Sequence, residues 1–89
     1  MLARAVEILE RLVAFPSVSG TSTHGIVNYM KEYIEEHGIE VTLSFDLSRE
    51  RANVFATLGP AVDGGIVLNG HTDVVPVEGQ KWRSDPFTL

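Results

Sequence analysis

A histidine and an aspartate two positions apart are the residues of this sequence best suited to chemistry. His71 and Asp73 follow a short apolar run at residues 66–68, which predicts a strand buried on both faces. On an extended chain such side chains leave the same side, with Cα atoms about 6.5–7 Å apart. A neutral imidazole is a good zinc ligand, and a neighbouring carboxylate can be a second ligand or can orient the first. The alternative is a surface loop, because His-x-Asp often arises by chance.

Two amphipathic helices are predicted ahead of this segment. Apolar residues recur every three or four positions across residues 2–13, and the same spacing returns across residues 26–34. Ser22 or Thr23 is suited to cap the second helix, since a side-chain oxygen accepts from a free backbone N–H. Gly38 can take the left-handed conformation that ends many helices.

The hydrophobic period then shortens to two residues, which predicts strands. Residues 39–45 alternate between apolar and polar, and residues 53–58 are mostly apolar, so the charged turn at 46–51 should join them as an antiparallel pair. Residues 66–68 add a third predicted strand. Two helices followed by three strands form an α/β pattern. The pattern is incomplete, because two helices cover only one face of a three-stranded sheet well.

The composition limits the partners and the location of the chain. Its 89 residues suffice for one small domain, and 12 acidic against 7 basic residues give a net charge of −5. An acidic chain repels phosphate backbones, so nucleic acid is not expected as a partner. There is no cysteine, so a metal would be held by histidine and carboxylate. With no long apolar segment, we expect a soluble, cytoplasmic chain without a membrane partner.

Longer strings around His71 are more specific than the pair alone. Residues 68–76 read LNGHTDVVP and residues 82–87 read WRSDPF. Together they resemble the first metal-binding segment of the zinc aminoacylase and carboxypeptidase family, which includes acetylornithine deacetylases, succinyl-diaminopimelate desuccinylases and dipeptidases. Residues 12–19 (LVAFPSVS) resemble the N-terminal segment of that family. Residues 51–60 (RANVFATLGP) and 74–79 (VVPVEG) are most similar to its acetylornithine deacetylase branch.

The resemblance implies a fold, a reaction and a role for each residue of the pair. Residues 1–89 would be the N-terminal portion of a zinc-peptidase-like catalytic domain, without the rest of that domain or the dimerisation domain. The implied protein is a cytoplasmic homodimer that hydrolyses a small N-acylated amino acid, N2-acetylornithine, to ornithine and acetate in arginine biosynthesis. Its cofactor would be two Zn²⁺ ions, or Co²⁺. His71 would be a metal ligand, and Asp73 the catalytic-site carboxylate that orients it.

Other readings remain beside this one. The same resemblance allows a desuccinylase or a dipeptidase, and a non-enzymatic alternative is an inert truncated fragment. One histidine and one carboxylate cannot close a zinc shell of three or four protein ligands, so the 89-residue chain alone should be inactive and bind metal weakly. The remaining candidates receive structural roles at helix ends, in turns or in packing: His24, His37, Asp63, Glu78, Asp85, Trp82 and Phe87.

Overall fold

Two helices precede a two-stranded antiparallel sheet in a computed structural model, which describes residues 1–89. Helix α1 spans Leu2–Ala14 and helix α2 spans His24–Glu35. Strand β1 spans Val41–Phe45 and strand β2 spans Ala52–Ala56. The predicted α/β class, both helices and the antiparallel pairing of the first two strands are confirmed. Neither helix combines the length and the apolar character that crossing a bilayer requires.

Of the two residues predicted to cap α2, Thr23 ties the helix to the sheet and Ser22 bonds a backbone N–H at the helix start. Thr23 occupies the N-cap position, but its side chain makes no capping hydrogen bond. Its hydroxyl oxygen instead accepts from the Ala52 backbone N–H at 3.1 Å, which joins the helix to β2. The Ser22 hydroxyl accepts from the His24 N–H at 3.3 Å. At the other end Gly38 has φ +75°, the left-handed conformation that was predicted.

The hairpin between β1 and β2 is fixed by its turn. The strands pair in the register Val41 with Ala56 and Phe45 with Ala52. The Asp46 N–H donates to the Arg51 carbonyl at 3.0 Å, and the Asp46 carboxylate accepts from Arg51 Nε at 2.9 Å. A hydrogen bond from the Ser48 hydroxyl, followed by those from Arg51, lowers the pKa of Asp46. The predicted charged turn is therefore an ordered connection that sets the strand register.

The third predicted strand does not form. Ile66, Val67 and Leu68 are 89%, 84% and 93% exposed, and none takes part in a backbone hydrogen bond within the chain. The apolar composition of this run indicated burial. A buried strand also needs hydrogen-bonded neighbours, and the sheet of this chain contains only β1 and β2.

The core is small and lies where α2 packs against the sheet. Ile26 and Val27 are its buried apolar residues, at 4% and 3% exposure, and Ser17 is the one buried polar residue. Helix α1 has no buried residue. It meets α2 through Arg4 and Arg11, whose guanidinium groups lie over the rings of Tyr33 and Tyr29 at 5.3 and 4.9 Å. The ring of Phe15, the residue after α1, lies 5.8 Å from that of Tyr29. The stability of the fold should therefore depend on α2 far more than on α1.

Replacing Ile26 by alanine should lower the free energy of unfolding by about 2 kcal/mol, the low end for a buried isoleucine, because the core is thin. The matched control is Leu9→Ala on α1, where the side chain is already 48% exposed. Its cost should be on the order of 0.5–1 kcal/mol, because less apolar area leaves water there on folding. Urea titrations followed by circular dichroism measure both values. Equal losses would show that α1 shares the core with α2.

Candidate functional site

The segment that carries His71 lies beside the loop after α1. Val18 and Val74 form an isolated parallel bridge. The Val74 N–H donates to the Ser17 carbonyl at 2.9 Å, and the Ser19 N–H donates to the Val74 carbonyl at 2.8 Å. The buried Ser17 hydroxyl donates to the Thr72 carbonyl at 2.6 Å. These bonds hold the backbone at residues 72–74 against residues 17–19, which are far away in the sequence.

The side chains of His71 and Asp73 meet, as their spacing predicts. His71 Nδ1 lies 3.0 Å from Asp73 Oδ1 and 3.0 Å from the Asp73 carbonyl oxygen. Both oxygens are acceptors, so Nδ1 carries the hydrogen of the neutral ring and Nε2 carries the lone pair. No residue of the chain bonds to Nε2, and the imidazole is 84% exposed. The nitrogen that can bind a metal or a substrate therefore faces solvent.

The second carboxylate oxygen of Asp73 has its own partner. The Ser19 hydroxyl donates to Asp73 Oδ2 at 2.8 Å. This hydrogen bond, followed by the one from His71, lowers the pKa of Asp73, so the group is a carboxylate at neutral pH. Both oxygens are thus engaged, one by a hydroxyl and one by an imidazole.

A cleft of about 860 Å³ opens beside this pair. Its walls come from residues 18–21, from the β1–β2 hairpin and from residues 69–73, which include both His71 and Asp73. Arg51 and Asn53 line the hairpin side. A second cleft, of about 480 Å³ between α1 and α2, is lined by arginines, glutamates and two tyrosines and contains no histidine. The cleft beside His71 is therefore the candidate site for a small molecule.

The residues of this chain supply part of a metal site. Zinc in proteins takes three or four protein ligands. No group of three histidine, cysteine, aspartate or glutamate side chains lies close enough in this chain to hold an ion. The geometry fits one ligand position, Nε2 of His71, with the Asp73 carboxylate behind it. It does not fit a complete coordination shell.

The other histidines have the structural positions predicted for them. His24 Nε2 lies 2.8 Å from the Arg49 carbonyl oxygen, and His37 Nδ1 lies 2.8 Å from the Tyr33 carbonyl oxygen near the end of α2. The Asp85 carboxylate accepts from the Phe87 N–H at 2.9 Å and so caps a turn, as expected.

Three further predicted roles have different outcomes. Asp63 and Glu78 are exposed, in agreement with solvated turns. Trp82, predicted to pack, is 53% exposed, because the loop around it buries little apolar surface.

Ser17 and Ser19, which hold the site segment, were missed, because within the polar string SVSGTST at residues 17–23 no local signal distinguishes them.

Comparison with known proteins gives one consistent result. Curated proteins named acetylornithine deacetylase from Proteus mirabilis and Photorhabdus laumondii are each 35% identical to this chain, in alignments 91 positions long that cover 94% of it. One from Klebsiella pneumoniae is 34% identical. The chain is similar to acetylornithine deacetylases. The resemblance inferred from the motifs is confirmed.

The length of the match is as informative as the identity. The chain spans 23% of the length of the Proteus mirabilis acetylornithine deacetylase and 24% of that from Klebsiella pneumoniae. No family model matches the chain. No solved structure matches it. The similarity to acetylornithine deacetylases therefore covers nearly all of this chain and about a quarter of each relative.

Proposed function

We propose that this chain supplies the His71–Asp73 segment of a zinc-dependent amide hydrolase that converts N2-acetylornithine to ornithine and acetate in arginine biosynthesis. The names of the relatives support the reaction. One structural observation supports the metal site: Asp73 holds His71 Nδ1 at 3.0 Å, which leaves Nε2 open to solvent. In this proposal the other ligands of two Zn²⁺ ions, or Co²⁺, come from residues outside these 89.

The residues of the chain prepare one ligand and one wall of the site. A bound zinc pair would supply a water of lowered pKa and a polarised amide carbonyl. Asp73 keeps the hydrogen of the imidazole on Nδ1 and strengthens Nε2 as a donor, because its negative charge lies on the far side of the ring. The cleft beside His71 gives a small N-acylated amino acid access to that nitrogen.

The proposal also covers the choice among related hydrolases, the oligomeric state and the partners of the protein. A desuccinylase or a dipeptidase would use the same segment, and the relatives' names favour the deacetylase. From the resemblance we also propose a homodimer in the cytoplasm. The net charge of −5 argues against a nucleic-acid partner. The isolated 89-residue chain is proposed to be inactive, because its ligand set is incomplete.

A zinc titration of the ¹⁵N-labelled chain tests the ligand role directly. His37 is a matched internal control, because its Nδ1 also bonds an oxygen, the Tyr33 carbonyl, but no carboxylate lies behind it. We expect the ring nitrogens of His71 to reach half their shift at a zinc concentration about tenfold lower than those of His37. Asp73→Asn should remove most of that difference. If the ring nitrogens of His71 and His37 in the unsubstituted chain reached half their shift at the same zinc concentration, the ligand role of His71 would be contradicted.

A further inference from the structure

Ser19 is the one side chain that contacts the carboxylate of Asp73 on the side away from His71. Its hydroxyl lies 2.8 Å from Oδ2, while Oδ1 lies 3.0 Å from His71 Nδ1. We propose that Ser19 is a positioning residue, which orients the Asp73 carboxylate so that the hydrogen of His71 stays on Nδ1 and Nε2 stays available. The proposal rests on the proposed function only in one respect, namely that Nε2 of His71 binds a metal ion.

The need for such a residue follows from the exposure of the pair. The Asp73 side chain is 56% exposed, and the terminal torsion of an aspartate is broad rather than confined to narrow wells. Water can therefore compete for either oxygen, and the carboxylate can rotate away from the ring. A hydroxyl donating to Oδ2 restricts this rotation and keeps Oδ1 within hydrogen-bond distance of His71 Nδ1.

Ser19 can do this because its own backbone is fixed to the segment it supports. Its N–H donates to the Val74 carbonyl at 2.8 Å, one residue beyond the aspartate that its hydroxyl contacts. The Val74 N–H returns a bond to the Ser17 carbonyl at 2.9 Å. Ser17 is 6% exposed and donates through its hydroxyl to the Thr72 carbonyl. The distance between Ser19 and Asp73 is thus set by the parallel bridge.

No neighbouring hydroxyl duplicates this contact. Thr21 lies two residues on, but its hydroxyl donates to the Val18 carbonyl at 2.6 Å. Ser44 lines the same cleft from β1, and its hydroxyl makes no hydrogen bond to the chain. Loss of the Ser19 hydroxyl therefore leaves Oδ2 to water, and Ser44→Ala is a matched control for the change from serine to alanine.

Long-range ¹H–¹⁵N spectra of the metal-free 89-residue chain, recorded at about pH 8.5 where imidazoles in general are neutral, report the tautomer of each ring. The structure provides both references. His37 bonds through Nδ1, and His24 bonds through Nε2. His71 should match His37 in the unsubstituted chain. In Ser19→Ala the share of the Nδ1–H tautomer of His71 should fall about two- to threefold, while His24 and His37 stay unchanged.

The isosteric pair Ser19→Thr and Ser19→Val separates the hydroxyl from the shape of the side chain. The Ser19→Thr variant should keep the share of the Nδ1–H tautomer of His71, and the Ser19→Val variant should lose it. Both variants should retain the dispersion of their backbone amide signals, which shows that they fold. Equal tautomer shares in all Ser19 variants, or the same fall in Ser44→Ala, would overturn the proposal. Loss of amide dispersion in both Ala and Val variants would assign Ser19 to fold stability and would also overturn it. Because metal is absent throughout, failure of the hydrolase assignment leaves this result intact.

Discussion

Replacing His71 by alanine should lower kcat/KM for N2-acetylornithine at least about 100-fold, because loss of a metal ligand should exceed the 10- to 100-fold cost of losing the group behind one. The measurement uses a chimera in which this chain replaces the matching segment of the Proteus mirabilis acetylornithine deacetylase, about a quarter of that protein. In the proposed site Nε2 of His71 is a ligand that water cannot replace without weakening the site.

His37→Ala is the control for this substitution in the same chimera. Its ring also bonds an oxygen through Nδ1, but it lies near the end of α2 and does not line the cleft beside His71. It should change kcat/KM by less than about twofold. The 89-residue chain alone should give no turnover. An inactive unsubstituted chimera, or unchanged turnover and zinc content in His71→Ala, would contradict the proposed function.

The helices were predictable because their determinants are local. The apolar period at residues 2–13 predicted a helix that is observed at Leu2–Ala14, and the period at residues 26–34 predicted one that is observed at His24–Glu35. Backbone hydrogen bonds within a helix join residues four apart, so a short window of sequence contains most of the information. The β1–β2 hairpin follows for the same reason, since a short turn brings its strands together.

Burial and strand pairing were less predictable because they depend on distant residues. The apolar run at residues 66–68 has the composition of a buried strand, and the structure leaves it exposed. Ile26 and Val27 became the core although α1 is also amphipathic. Which of two amphipathic helices is buried depends on where the sheet packs, and no local pattern specifies that.

The candidate site divides in the same way. The contact between His71 and Asp73 is set by a two-residue spacing, and the sequence predicted it. The contact between Ser19 and Asp73 joins residues 54 positions apart. Five hydroxyl residues lie within residues 17–23, and only the parallel pairing of Val18 with Val74 selects Ser17 and Ser19 among them.

Asp73→Asn should lower kcat/KM for N2-acetylornithine in the chimera by about 10- to 100-fold, less than His71→Ala. The amide keeps the shape of the carboxylate but loses its charge, and its NH₂ group cannot accept from His71 Nδ1. The Ser19 hydroxyl can also bond either end of the amide, so it no longer fixes one orientation. Steady-state kinetics with the zinc content of each variant measure the effect.

Asp85→Asn is the matched control, because it makes the same chemical change at a carboxylate outside the site. The Asp85 carboxylate accepts from the Phe87 N–H and so caps a turn. It should be nearly silent. The size of the Asp73 effect decides between the two roles that its position beside His71 allows. An orienting carboxylate leaves the metal bound when it becomes an amide, whereas a direct ligand does not. Zinc loss and a kinetic cost equal to those of His71→Ala would therefore make Asp73 a ligand, and would also remove the reason for Ser19 to hold it toward the ring.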